Sequence, residues 1–338
     1  LHKRTAKWPR QLGMNAKPTI LVSENKTVFQ TPFLEQKWAQ YFNVEILDTN
    51  KNYDKRSTVV VSDWIDVNQS TNSNECVLAN TGIRHVIDHC WDSWDSSLDN
   101  SADFTIRPRD FIRINESLCY KSLGYDQCKL NSNPTKDFLL LMNLVRPHRD
   151  NLLDSLKEYV EHNIYSYVGR GIPLQNAQDI EFNSSTWQRY TDPHWYTDTR
   201  FSVVSESMIY NLGEPTEKND YRYDDDINVS EKTYKPMAFK HAFVVHGQPG
   251  TLARCKQLGF ETFDHVIDES YDNVTDHNKR LELIVNQIEL LIADKSLLTD
   301  PISKQKIQHN FEHFYDEGIV TNLFVTQIVN PLLEFIES

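Results

Sequence analysis

Three consecutive residues, Ser230, Glu231 and Lys232, bring a hydroxyl, a carboxylate and an ammonium together at the head of an apolar-periodic run. Serine is a favoured N-cap and an acidic residue suits a first helical turn, so the pattern predicts a helix over about 231–240. The free backbone N–H groups at such a helix start are a seat for a diphosphate. Lys232 adds a positive charge where the helix dipole is already positive, which costs stability unless an anion lies beside it. Glu231 is suited to accept hydrogen bonds from ribose hydroxyls. Upstream, the run F-S-V-V-S-E ends in Glu206, and downstream F-V-V-H-G ends in Gly247. Arg146 and Arg149 occupy a polar loop after the apolar run 137–142. Guanidinium groups there could clamp an anion bidentately. Taken singly, each of these features also reads as an ordinary capped helix or a surface arginine.

The elements that would position these residues alternate. Short β-branched or apolar runs at 18–24, 44–48, 58–62 and 84–87 read as strands, and 33–42 has helical spacing of apolar residues. The rhythm restarts at 137–142 and continues through 163–168, 201–204, 242–245 and 266–267, with helices over 151–161 and from about 277 onward. Alternating strands and helices imply parallel sheets, with chemistry in the loops at the strand C-termini. The turn-rich L-N-S-N-P-T at 130–135 is the expected linker. The expected organisation is therefore an α/β chain of two Rossmann-like domains, 1–134 and 135–338, facing across a cleft. The helix over 281–298 is expected to pack in the core and to brace the first domain. Glu24, Asp63, Asp88 and His89 all follow predicted strands of the first domain. Glu24 and Asp88 rank first, by position, as the catalytic base that would face a ligand held by the second.

Composition narrows the class. The chain of 338 residues suits two domains, and its 39% hydrophobic content is enough for ordinary cores. No run approaches the roughly 20 apolar residues of a membrane span, and 138–145 reads as the most hydrophobic stretch. Without a signal-type leader, a cytoplasmic location is expected. Five cysteines at irregular spacings suggest free thiols and no zinc site. Residues 1–134 hold 16 Lys+Arg against 16 Asp+Glu, so the net charge of −13 comes from the second half. Neither half offers the basic surface that nucleic acid demands. No GxGxxG, GxxxxGK[ST] or GxSxG run occurs, which removes the usual dinucleotide, P-loop and serine-hydrolase readings.

The order Ser205-Glu206-Ser207, then Ser230-Glu231-Lys232, then Val244-Val245-His246-Gly247 resembles the donor-binding half of GT-B glycosyltransferases of the fucosyltransferase type. In that family "FEN" precedes "TEK" and then an apolar strand ending in Gly. The resemblance covers about 136–275. It implies a nucleotide-sugar-dependent transferase acting on a glycan or another hydroxyl acceptor, with Glu231 on the ribose and Lys232 on the phosphates, joined by an arginine from the 142–149 loop. It also implies no cofactor beyond the donor and no catalytic metal. Two departures stand out: a long spacer between Ser207 and Ser230, and the acidic run Asp224-Asp225-Asp226 within it. That run reads as a solvated loop more readily than as a divalent-cation site. The alternatives are another nucleotide-using transferase, a non-catalytic glycan- or nucleotide-binding protein on the same scaffold, or a transferase that decorates DNA.

Overall fold

The computed structural model describes residues 17–22, 32–46, 52, 54, 57–63, 84–88, 103–106, 110–127, 133–173, 191–207, 209, 227 and 229–338. The chain packs as two units, one of residues 1–119 with 317–338 and the other of residues 120–316.

In the first unit, β1 (Thr19–Val22), β2 (Asn43–Ile46), β3 (Thr58–Asp63), β4 (Arg84–Asp88) and β5 (Phe104–Ile106) form one sheet in the order β2-β1-β3-β4-β5. Every pairing is parallel. Ile20, Leu21 and Val22 are fully buried, as expected for a strand covered on both faces. Helices α1 (Pro32–Ala39) and α2 (Phe111–Ser122) follow β1 and β5. The core of this unit joins Ile20, Val22, Trp38, Phe42, Val59 and Ile114 to Phe324, Val325, Ile328, Val329, Leu332 and Leu333. Those last six come from the C-terminal helix, which spans Glu317–Glu337.

That helix is long and apolar enough, by length and composition, to cross a membrane. Its apolar residues recur at helical spacing, and the face they form is the one buried in this core. A π-helical turn at Val325–Val329 interrupts it. There Gln327 accepts from the backbone N–H of Asp110 at 2.9 Å and donates to the Asp110 carboxylate at 2.6 Å.

The units divide at Cys119/Tyr120 and again at Asp316/Glu317, where the sequence suggested a single boundary at 134/135. Packing explains the difference. Tyr120 and Tyr125 lie against Phe239, at 5.7 and 5.0 Å between ring centroids, and so belong with the second unit. The last 22 residues complete the first core, while the helix expected to brace it stays in the second unit.

The second unit repeats the topology. Strands β6 (Lys136–Met142), β7 (Ile164–Tyr167), β8 (Thr199–Ser205) and β9 (Ala242–His246) run parallel in the order β7-β6-β8-β9. Its longer helices are α3 (Pro147–Ser155), α4 (Glu231–Ala238), α5 (Thr251–Gln257), α6 (His277–Ala293) and α7 (Pro301–Tyr315). The expected strand at 266–267 is instead a turn leading into a 3₁₀ helix, Glu269–Asn273. From β6 the chain first goes to β7 on one side and then crosses to β8 on the other. The carboxyl ends of β6 and β8 therefore flank a switch point, where open parallel sheets bind their ligands.

Candidate functional site

Five of the charged residues singled out in the sequence, Arg146, Arg149, Glu206, Glu231 and Lys232, lie on the elements that start or end at that switch point. Ser230 is the N-cap of α4, its hydroxyl accepting from Lys232 N. A second acceptor closes the same helix end. The Glu206 carboxylate accepts from Ser230 N at 3.1 Å, from the Thr233 hydroxyl at 2.5 Å, from Ser207 N at 3.3 Å, and from the Ser230 hydroxyl. It sits where the helix dipole favours negative charge. Glu206 thus positions the helix start, its carboxylate oxygens taken up by the donors of that turn.

Glu231 and Lys232, partly exposed at 24% and 19% of their side chains, form an ion pair, and Lys232 also donates to the Ser207 hydroxyl at 2.8 Å. Burial pushes the Glu231 carboxyl up, but the charges of Lys232 and Lys235 and the hydrogen bond from Lys232 outweigh it and hold the group below its usual range. The lysine at the positive helix end is thereby offset by its neighbour.

The other wall comes from the start of α3. The Tyr167 hydroxyl accepts from Arg146 N at 3.1 Å, and the Arg146 side chain is exposed with no partner among the described residues. Arg149, only 2% exposed, donates to the carbonyls of Leu144, Ser205 and Glu206 at 2.9, 3.4 and 3.3 Å. His148 donates from Nε2 to the Glu206 carbonyl at 3.0 Å. One residue, Glu206, therefore ties α3, β8 and α4 together, its carbonyl held from one helix and its carboxylate capping the other. This arrangement has the chemistry to bind an anion: Lys232 supplies positive charge at the α4 start and Arg146 at the α3 start, with a carboxylate at Glu231 to receive hydroxyl donors.

Solved structures similar to the chain include two fucosyltransferases. One, an alpha1,3-fucosyltransferase with GDP-fucose, is 11% identical with a TM-score of 0.43, covering 94% of this chain and 94% of that chain. The other, an alpha1,3-fucosyltransferase, is 12% identical with a TM-score of 0.47, covering 90% of this chain and 91% of that chain. No protein-family model matches the sequence, and no curated protein matches it.

The remaining sequence candidates fare differently. Gly247 is buried, and a Cβ there would lie 2.8 Å from the Thr251 hydroxyl, which itself donates to the Gln248 carbonyl at 2.7 Å. Its lack of a side chain serves the close approach of β9 to α5. Gly247→Ala is expected to cost about 1–2 kcal/mol by overpacking, read as a lower urea midpoint with an unchanged m-value.

Asp272 accepts from Leu252 N and Ala253 N, both at 3.0 Å, so the start of α5 is closed by its own carboxylate. Asp88 ends β4 in register with Asp63 at the carboxyl edge of the first sheet. Only the backbone is described at both. Glu24, His89 and the run Asp224–Asp226 lie outside the described residues. Among the described residues no three His, Cys, Asp or Glu side chains are grouped to hold a metal ion. His148 was missed as a structural partner of the site. The available sign was its place one residue before Arg149, at the start of a helix opened by Pro147.

Proposed function

We propose that the second unit binds a nucleoside-diphosphate sugar at the carboxyl ends of β6 and β8, and that the chain is a glycosyltransferase acting on a hydroxyl acceptor. The observation that carries this reading is the pairing of Glu231 and Lys232 at the first turn of α4, on a helix start fixed by Glu206 at the switch point. A diphosphate accepted there would take Lys232 from Glu231, freeing the carboxylate for the ribose hydroxyls. As the sugar leaves, negative charge grows on the diphosphate, and Lys232 and Arg146 stabilise it without a metal ion. The acceptor proton goes to a carboxylate base, for which Asp88 and Glu24 are the candidates from the sequence.

Thermal-shift titration with GDP, UDP, ADP, CMP and dTDP tests the reading, because a ligand that binds only the folded state raises its melting temperature. One nucleotide is expected to shift wild type by several degrees, with the shift lost in Lys232→Ala. No shift with any nucleotide would remove the donor site. Binding without transfer of a sugar to any acceptor would leave a binding protein on the same scaffold.

A further inference from the structure

Among the described residues, six buried side-chain polar atoms without a hydrogen-bond partner belong to five residues gathered in one region. They are Ser205 Oγ, both ring nitrogens of His246, Arg149 Nε, His277 Nε2 and Arg280 Nε. The residues are contiguous. Ser205 and His246 are register partners at the ends of β8 and β9. The His246 ring lies 5.4 Å from that of His277 and 5.8 Å from that of His148, which precedes Arg149 on α3. Arg280 reaches His277 one turn along α6.

The two arginines are the decisive feature. Arg149 and Arg280 are 2% and 1% exposed, and their bonds go to the backbone carbonyls of Leu144, Ser205, Glu206 and Val274 and to the ring of His277. Neither forms an ion pair among the described residues. The carboxylates that act on them from further away are committed elsewhere: Glu206 to α4, Glu231 to Lys232, Asp272 to α5, and Asp276 to the N-cap of α6. A guanidinium is always charged in a protein, and buried charge is normally paired.

Of the six open atoms four are donors, the Ser205 hydroxyl is able to donate, and the second ring nitrogen of neutral His246 is an acceptor. Arg280 donates to His277 Nδ1 at 3.5 Å, so the proton of that ring lies on Nε2, the unpartnered atom. The two Nε–H groups and one N–H of His246 complete the set. Burial, with the neighbouring positive charges, holds His246 well below its usual pKa, so the charge left to be matched is that of the guanidiniums.

We propose that Arg149, Arg280, His246 and His277 form a binding site for a small inorganic anion at the carboxyl ends of β8 and β9. The site does not depend on the donor reading, since it is defined by uncompensated buried charge and not by the first turn of α4. Its ligand has the chemistry of chloride or phosphate, accepting hydrogen bonds from several sides and carrying the negative charge that the cluster lacks.

The test is thermal unfolding of the full chain at fixed pH and ionic strength, replacing gluconate stepwise with chloride or with inorganic phosphate. The melting temperature is expected to climb by several degrees with the logarithm of one anion's concentration. In Arg280→Met the slope should flatten, and His246→Phe provides a second variant should the first fail to fold. A crystal grown with bromide should show an anomalous peak within hydrogen-bonding distance of Arg280 Nε. Loss of the GDP or UDP response together with the phosphate response in these variants would identify the anion as the donor's own phosphate, and loss of the phosphate response alone would identify a separate ion. An identical response to gluconate, chloride and phosphate in wild type, with no bromide peak, would overturn the proposal while leaving nucleotide binding untouched.

Discussion

Replacing Glu206 with alanine is expected to destabilise the second unit by about 3 kcal/mol or more, the range reached when a buried hydrogen-bond network is broken. At 4% exposure the carboxylate is the acceptor for Ser230 N, the Ser230 and Thr233 hydroxyls and Ser207 N. Removing it leaves those donors in a place from which water is excluded, and it takes a negative charge from the positive end of α4. Glu206→Gln, which keeps one acceptor and turns the other into a donor facing donors, should fall between wild type and alanine. Urea unfolding measures both. A functional signature should accompany the loss: the first turn of α4 carries Glu231 and Lys232, so nucleotide affinity should fall in Glu206→Ala even where the protein remains folded. If Glu206 served only as a ligand contact, affinity would drop with the urea midpoint unchanged, and the positioning role would be wrong.

The same residue shows what sequence could and could not reveal. A carboxylate at the end of an apolar strand is legible as belonging to the functional edge of a parallel sheet, and Glu206 is there. Its direction is not legible, because facing a ligand and facing a helix start 24 residues later require the same residue type. Arg149 illustrates the point again: a guanidinium after a buried strand suits a phosphate, yet three backbone carbonyls take its donors.

Strands were readable because β-branched runs such as 58–61 are buried on both faces and tolerate no polar interruption. The C-terminal helix was readable as a helix but not as part of the first core. The contacts that place it, such as Trp38 against Phe324 at 5.9 Å, join residues at opposite ends of the chain. Nothing local encodes a pairing over that separation. The boundary at 134/135 failed for a related reason: a turn-rich segment marks a loop, whereas the aromatic contacts of Tyr120 and Tyr125 decide which core a segment joins.

Acidification from pH 7 to pH 5 is expected to weaken the second unit through its buried histidines. His148 and His241 are 2% and 3% exposed, and burial pushes each down to about 4 from an unfolded value near 6.5. Both are neutral in the folded protein at pH 7. Between the two pKa values the unfolded chain binds more protons, so stability is present above the unfolded value and is lost as pH falls toward the folded one. Over pH 7 to 5 the loss is about 2 kcal/mol for each histidine.

The carboxyls of Asp264 and Asp300, held at about 2 chiefly by their side-chain hydrogen bonds, take up protons only at lower pH and do not contribute in this window. Burial raises Glu269 and Asp272, which acts in the opposite sense and makes the total slope shallower than the histidines alone would give. Variants isolate the term. In His241 the Nε2 proton goes to the Thr199 carbonyl at 2.9 Å while Nδ1 accepts from Ser202 at 2.8 Å. Glutamine can keep one donor and one acceptor there without titrating.

His148→Gln likewise keeps a donor for the Glu206 carbonyl, a bond that survives protonation of the ring in any case. The acid cost at His148 therefore comes from desolvation and from the nearby charges of Arg149 and Arg146, not from a broken hydrogen bond. Urea unfolding at pH 7, 6 and 5 should show each glutamine variant losing about 2 kcal/mol less than wild type over the interval. An unchanged slope in either variant would mean that its histidine is not held neutral by the fold.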